Sequence, residues 1–232
     1  ATANIVNLAL AHGIKKLCYV SSIATLGIPE DGSSITEDTH FNQDAANNVY
    51  SLSKYAAEME VWRATQEGLD AVIVNPGVIL GAGSWHTGSG AIFKLAFKGM
   101  SYFTSGSIAV VDVRDVVLAM QGLMNSDLKN ERYILVGATL SYKEFTKELA
   151  LAFDKNPPKK EIAEWKLLLI SSIDGLVSSL FGTKRKLQKA NVKSLYTRSN
   201  YNAHKIEKSL SFSFTPVSQT IKRVASDYKS EH

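Results

Sequence analysis

A single cysteine, Cys18, excludes an internal disulfide; it stands in an apolar stretch and reads as a small core residue. The five histidines (His12, His40, His86, His204, His232) are scattered and show no metal-ligand spacing, so no metal site is expected. No apolar run reaches the ~20 residues that a membrane-spanning helix needs, and the start shows no signal-peptide pattern. The expectation is a soluble, cytoplasmic protein. The glycine-rich stretch Gly81–Gly90 contains no G-x-G-x-x-G. It reads as a substrate loop, with Trp85 as a hydrophobic wall and His86 as a weaker candidate base.

Charge is divided unevenly along the chain. Residues 1–154 carry 11 basic and 16 acidic side chains, a net of −5, whereas residues 155–232 carry 15 basic and 6 acidic, a net of +9. No nucleic-acid motif accompanies the basic part, so it reads as a lysine-rich solvated surface. The 232 residues are 45% hydrophobic, enough for one sizeable core.

Chemistry enters at Val49–Glu58. Tyr50 and Lys54 are four apart among good helix formers, which puts them on one helix face, one turn from each other. A phenol titrates near 10, and an adjacent ammonium favours its ionised form, so such a pair can exchange a proton near neutral pH. Spacing alone is weak, because Tyr201 and Lys205 repeat it. Context separates the two. An apolar strand pattern ending in Ser21-Ser22 precedes Tyr50, and a second apolar run, Ala71 to Val74, ends in Asn75-Pro76-Gly77 after it. The later pair has no such bracket and reads as ordinary surface. Thr2–His12 reads as a helix with Ile5, Leu8 and Ala9 inward and Gly13 as C-cap; Leu17–Val20 reads as a buried parallel strand. Asp44 or Asn47 can start the helix carrying Tyr50, and Gly68 ends it. Glu37 and Asp38 read as a solvated loop.

Ser-Ser at a strand end, Tyr-x-x-x-Lys on the next helix and Asn-Pro-Gly after the following strand together resemble an extended short-chain dehydrogenase/reductase. The likeness is nearest to the NAD-dependent epimerase/dehydratase family and its dihydroflavonol-reductase-like members. It implies an α/β fold, a Rossmann-like doubly wound parallel sheet with a small, mostly helical C-terminal substrate lobe. Residues 1–150 would be the later part of the dinucleotide-binding domain, with substrate-lobe segments around 81–110, and 151–232 the substrate lobe. It implies NAD or NADP as cofactor and a carbonyl or alcohol substrate. Tyr50 would be the acid/base, Lys54 would favour its ionised form and hold the nicotinamide ribose, and Ser22, five residues before Gly27, would orient the reacting oxygen. The backbone of Pro76, Gly77, Val78 and Ile79 would face the nicotinamide ring. A nucleotide-sugar epimerase or dehydratase with the same site, and a non-catalytic cofactor-binding regulator, are the alternatives. Helix 44–67 could also join a homodimer interface of the family type. The family begins with a strand, glycine-rich turn and helix that seat the pyrophosphate. Here the chain starts on what reads as the helix before the fifth strand, implying a longer protein by on the order of 80–100 residues, two βαβ units needing at least ~60. Without them, Ile5–Leu8 and Leu17–Val20 are expected to stand exposed.

Further along, Asp112 reads as an N-cap within Val111-Asp112-Val113-Arg114-Asp115, taken as structural, and Ser141/Glu144 as a capping box. Beyond Asn156-Pro157-Pro158, Trp165, Leu169, Ile173, Leu176 and Leu180 recur at helical spacing, broken by Asp174 and followed by Lys184-Arg185-Lys186. The favoured reading is a helix over the substrate pocket or against a dimer partner; an interfacial membrane helix is the alternative.

Overall fold

The computed structural model describes residues 1–29, 31–42, 49–181 and 189–232, and only the backbone of 175–181 and 190. Asp44, Asn47 and the Lys184-Arg185-Lys186 run therefore lie outside the described residues. In chain order the elements are α1 (Thr2–Ala11), β1 (Lys16–Val20), α2 (Val49–Gln66), β2 (Asp70–Pro76), β3 (Val78–Leu80) and α3 (Gly88–Lys98). They continue as β4 (Tyr102–Phe103), β5 (Ser107–Asp112), α4 (Val113–Met124), β6 (Glu131–Leu135), β7 (Ala138–Ser141), α5 (Tyr142–Ala152) and β8 (Lys160–Glu161). Last come α6 (Glu164–Phe181), α7 (Lys189–Ser194), α8 (His204–Leu210) and α9 (Val217–Glu231).

The chain forms two compact units. The first comprises Ala1–Ile79, Ala109–Ala138 and Asn200–Val217. Its sheet has the order β1–β2–β6, and both pairings are parallel. Alternation along β2 explains the unbroken apolar run. Val72 and Val74 pack with Val116, Ala119 and Leu123 of α4, while Ala71 and Ile73 pack with Val6 and Ala9 of α1 and Val61 and Ala64 of α2. A strand covered by helices on both faces has no polar side to show, which is the Rossmann-like, doubly wound arrangement expected. Segment 200–217 returns to this unit: Ile35 exchanges backbone hydrogen bonds with Asn200 and Asn202. Asp115 accepts the Thr215 N–H and hydroxyl, both at 2.8 Å.

Local signals hold where they are read. Asp112 accepts the Arg114 N–H at 2.8 Å, and Ser141 and Glu144 form the capping box. Gly13 and Gly68 take the positive φ that ends their helices. Lys16 closes α4 at its other end by donating to the carbonyls of Leu123 and Ser126 at 2.6 and 2.7 Å, a cation on the negative pole of a helix. The inner face of α1 differs from the reading: Val6 and Ala9 are buried, while Ile5 and Leu8 are exposed. All five residues of β1 are half-buried rather than buried, since β1 lies at the end of the described strand order. Partial burial still pushes the Cys18 thiol pKa up, as a core residue requires, with Lys16 opposing.

The second unit comprises Leu80–Ile108, Thr139–Ser199 and Ser218–His232. It is held by aromatic rings: Phe93 and Phe97 meet Phe153 edge-on, and Tyr228 meets Phe153 and Trp85 edge-on. Trp85, on the loop between β3 and α3, is buried, with its indole N–H on Glu231 at 2.5 Å; it is a packing anchor of this unit. His86 instead faces the Lys94 ammonium at 3.1 Å on the surface. Among the described residues no helix is long and apolar enough to cross a membrane, and no His/Cys/Asp/Glu group could hold a metal.

Candidate functional site

Ligands of open parallel sheets sit at the carboxyl ends of the strands. At that end of β1 the chain turns through Ser21 and Ser22 into a short helical turn, Ile23–Thr25. Ser22 is buried and extended, and its Oγ accepts the Ala24 N–H at 3.1 Å. That bond uses a lone pair and leaves the hydroxyl hydrogen to donate. Lys54 reaches the same strand end from α2. Its ammonium donates to the Val20 carbonyl at 2.7 Å and the Tyr19 hydroxyl at 3.3 Å, and stands 4.8 Å from the Tyr19 ring centroid. An ammonium has three N–H donors, so one is left over among the described residues. The cation is thus fixed two residues before Ser22. Tyr50 lies one turn earlier on α2 and is 58% exposed.

Pro76 ends β2 and Val78 and Ile79 begin β3, so the four backbone positions 76–79 span the carboxyl end of the central strand. The Gly77 N–H donates to the Leu135 carbonyl at 3.0 Å. A Cβ on Gly77 would lie 2.6 Å from the Ala109 carbonyl oxygen, so the close approach made here is backbone to backbone. Gly77→Ala is expected to lower stability by about 1–3 kcal/mol through overpacking, read as a lower urea midpoint; an unchanged midpoint would contradict it.

Beneath these residues lies a carboxylate that the sequence reading passed over. Glu58 is fully buried. Its Oε2 accepts from Ser21 Oγ at 2.5 Å, Thr25 Oγ1 at 2.8 Å and Asn75 Nδ2 at 3.1 Å. Its Oε1 accepts from Trp62 Nε1 and Arg132 Nη1, both at 3.3 Å. Asn75 also donates to the Ser22 carbonyl at 3.1 Å. One carboxylate therefore ties the turn after β1 to α2, β2 and β6, and holds the Ser22 backbone in register with the helix that carries Lys54. Ser21, the hydroxyl set aside in the sequence, is spent on this buried bond. The available signal was the spacing: Glu58 is one turn beyond Lys54 and shares its helix face. Asn75 Oδ1 is buried and has no donor among the described residues.

Glu37 is a correction. It is buried, not solvated, and its Oε1 accepts the Ile134 N–H at 2.8 Å. Arg132 donates to the Glu37 carbonyl at 2.6 Å, fastening the loop to β6. Asp38 is exposed as read. Lys205 of the second Tyr/Lys pair is bound to Glu131 and lies over the Tyr133 ring, a structural role.

Comparison with known proteins bears on the family and the fold. Residues 1–135 match the model of the NAD dependent epimerase/dehydratase family. A putative dihydroflavonol 4-reductase of Synechocystis is 28% identical over 228 residues, covering 95% of this chain and 66% of the relative. The chain thus spans just under two thirds of that relative's length. The crystal structure of gox2253 superposes with a TM-score of 0.83 at 24% identity, over 99% of this chain and 71% of the other. The UDP-glucose 4-epimerase of Thermus thermophilus, solved with NAD, gives a TM-score of 0.73 at 17% identity, over 100% and 69%. At these identities the solved structures speak for the fold alone.

Proposed function

Because the chain belongs to the NAD dependent epimerase/dehydratase family, we propose that it is the catalytic part of an NAD(P)-dependent oxidoreductase acting on a carbonyl/alcohol pair. The observation that carries this is the Lys54 ammonium, held at the carboxyl end of β1 two residues before Ser22 and one turn from Tyr50. The polar groups fit an oxygen-rich ligand and an amide: a third Lys54 N–H and the Ser22 and Tyr50 hydroxyls can donate, and Asn75 Oδ1, without a donor among the described residues, can accept.

In this reading Tyr50 gives its hydroxyl proton to the substrate oxygen in reduction and takes it back in oxidation. Ser22 donates to the same oxygen and holds it in line with Tyr50. Lys54 stabilises negative charge on the Tyr50 oxygen and, with Tyr50, binds the ribose hydroxyls of the cofactor. The Pro76–Ile79 backbone would face the nicotinamide. When bound, the nicotinamide supplies or accepts the hydride. NAD and NADP differ at a position that none of these residues reads.

The matching family also contains epimerases and dehydratases, so turnover has two forms to separate. Oxidoreduction of an exchangeable substrate is expected to release oxidised cofactor in step with product, followed as stoichiometric loss of nicotinamide absorbance at 340 nm. Catalysis with the cofactor retained and no net absorbance change would transfer the site to epimerisation or dehydration. Cofactor binding without turnover of any carbonyl or sugar-nucleotide substrate would reduce it to a regulatory site.

A further inference from the structure

Helix α6 leaves an apolar side to water. On a helix advancing ~100° per residue, Trp165, Leu169, Ile170 and Ile173 fall within one arc, and all four are exposed, Trp165 the most at 62%. On the other side Ser171 is fully buried and Leu167 and Leu168 are half-buried. An apolar arc left to water opposite a packed side marks a helix that covers only one of its two apolar sides within its own unit. Something apolar covers this face when the protein works.

Charge identifies the cover. The unit that contains α6 carries 17 Lys/Arg against 8 Asp/Glu, a net of +9, while the other unit carries 9 against 14, a net of −5. Lysines flank the helix. Lys159 and Lys160 are exposed just before it, Lys166 is exposed within it and lies 5.5 Å from the Trp165 ring centroid, and α7, which packs on α6, exposes Lys189 and Lys193. The acidic groups of the stretch are Glu161, Glu164 and Asp174. A second copy docked face to face here would bring two +9 units together, at a repulsive cost. An anionic surface with an apolar interior satisfies both the arc and the lysines. Tryptophan with flanking lysine is also the pairing suited to the headgroup boundary, where the ring is half in hydrocarbon and the ammonium stays in water. We propose that α6 docks this protein peripherally on anionic lipid membranes, lying in the plane of the interface with Trp165, Leu169, Ile170 and Ile173 inserted.

The test is co-sedimentation of the full chain with vesicles of phosphatidylcholine containing about 30% phosphatidylglycerol. The protein is expected in the pellet at low salt, to bind about tenfold more weakly to phosphatidylcholine alone, and to be released as salt rises toward about 0.5 M. The exposed-site double variant Trp165→Ser/Ile170→Ser is expected to lose about tenfold in partitioning with an unchanged circular dichroism spectrum. A second measurement uses the unaltered protein: brominated lipid should quench its tryptophan fluorescence, and Trp165→Phe should abolish the quenching while leaving Trp62 and Trp85 emission in place. Recovery in the supernatant with anionic vesicles overturns the proposal, as does sedimentation indifferent to the double variant. A concentration-dependent dimer without lipid, lost in the double variant, would assign the face to a second copy instead.

Discussion

Tyr50→Phe is expected to lower kcat by about 10³-fold while leaving cofactor affinity within about threefold, because it removes one proton-transferring hydroxyl and keeps the ring. The measurement is steady-state turnover in the protein that shows cofactor-dependent activity, beside cofactor titration by fluorescence. Lys54→Met is the contrast. Its ammonium donates to the Val20 carbonyl and the Tyr19 hydroxyl, and in the proposed role also binds the ribose, so both kcat and cofactor affinity should fall. Ser22→Ala should reduce kcat with little effect on cofactor affinity, since its hydroxyl is assigned to the substrate oxygen. Turnover that survives Tyr50→Phe unchanged removes the catalytic assignment and leaves the fold and family membership standing.

The larger effect on stability is expected at Glu58. Truncation to alanine leaves the Arg132 guanidinium, with a side chain only 14% exposed, without its carboxylate, and takes an acceptor from Ser21, Thr25 and Asn75, of which Thr25 and Asn75 keep the Ser22 carbonyl. Breaking a buried ion pair from one side costs about 3–5 kcal/mol, and the lost hydrogen bonds add to it. Urea unfolding should show a loss in that range for Glu58→Ala. Replacing both partners, Glu58→Leu with Arg132→Leu, should cost less than the two single changes added together, because no charge is then left buried and alone. A loss below about 1 kcal/mol in Glu58→Ala would mean that water replaces the lost partners and the network is not a fastening. The double variant would still lose the Arg132 bonds to the Glu37 and Thr39 carbonyls, so full recovery is not expected.

Much of this protein is legible because its signals are short-range. The Tyr50/Lys54 spacing, the Asp112 cap, the Ser141/Glu144 box and the glycines after α1 and α2 each depend on residues within one helical turn, where backbone geometry leaves few alternatives. The unbroken run Ala71–Val74 also announced a strand covered on both faces, as packing against α4 on one side and α1 and α2 on the other shows. From such patterns, and their likeness to a known family, came the fold class, the family and the three proposed site residues.

What the sequence by itself could not determine was the use made of polar side chains that meet across long separations. Glu58 collects donors 37, 33, 17 and 74 residues away, and Glu37 reaches a backbone N–H 97 residues on. A carboxylate beside water and a carboxylate buried among five donors look alike in one dimension, since burial is a property of what other segments bring. The same holds for Trp85, a loop residue buried by the Glu231 and Tyr228 that α9 supplies. It holds in reverse for α6, where Trp165, Leu169 and Ile173 promised packing and were left facing water. Periodicity says that a face is apolar; only the tertiary structure decides whether the chain itself covers it.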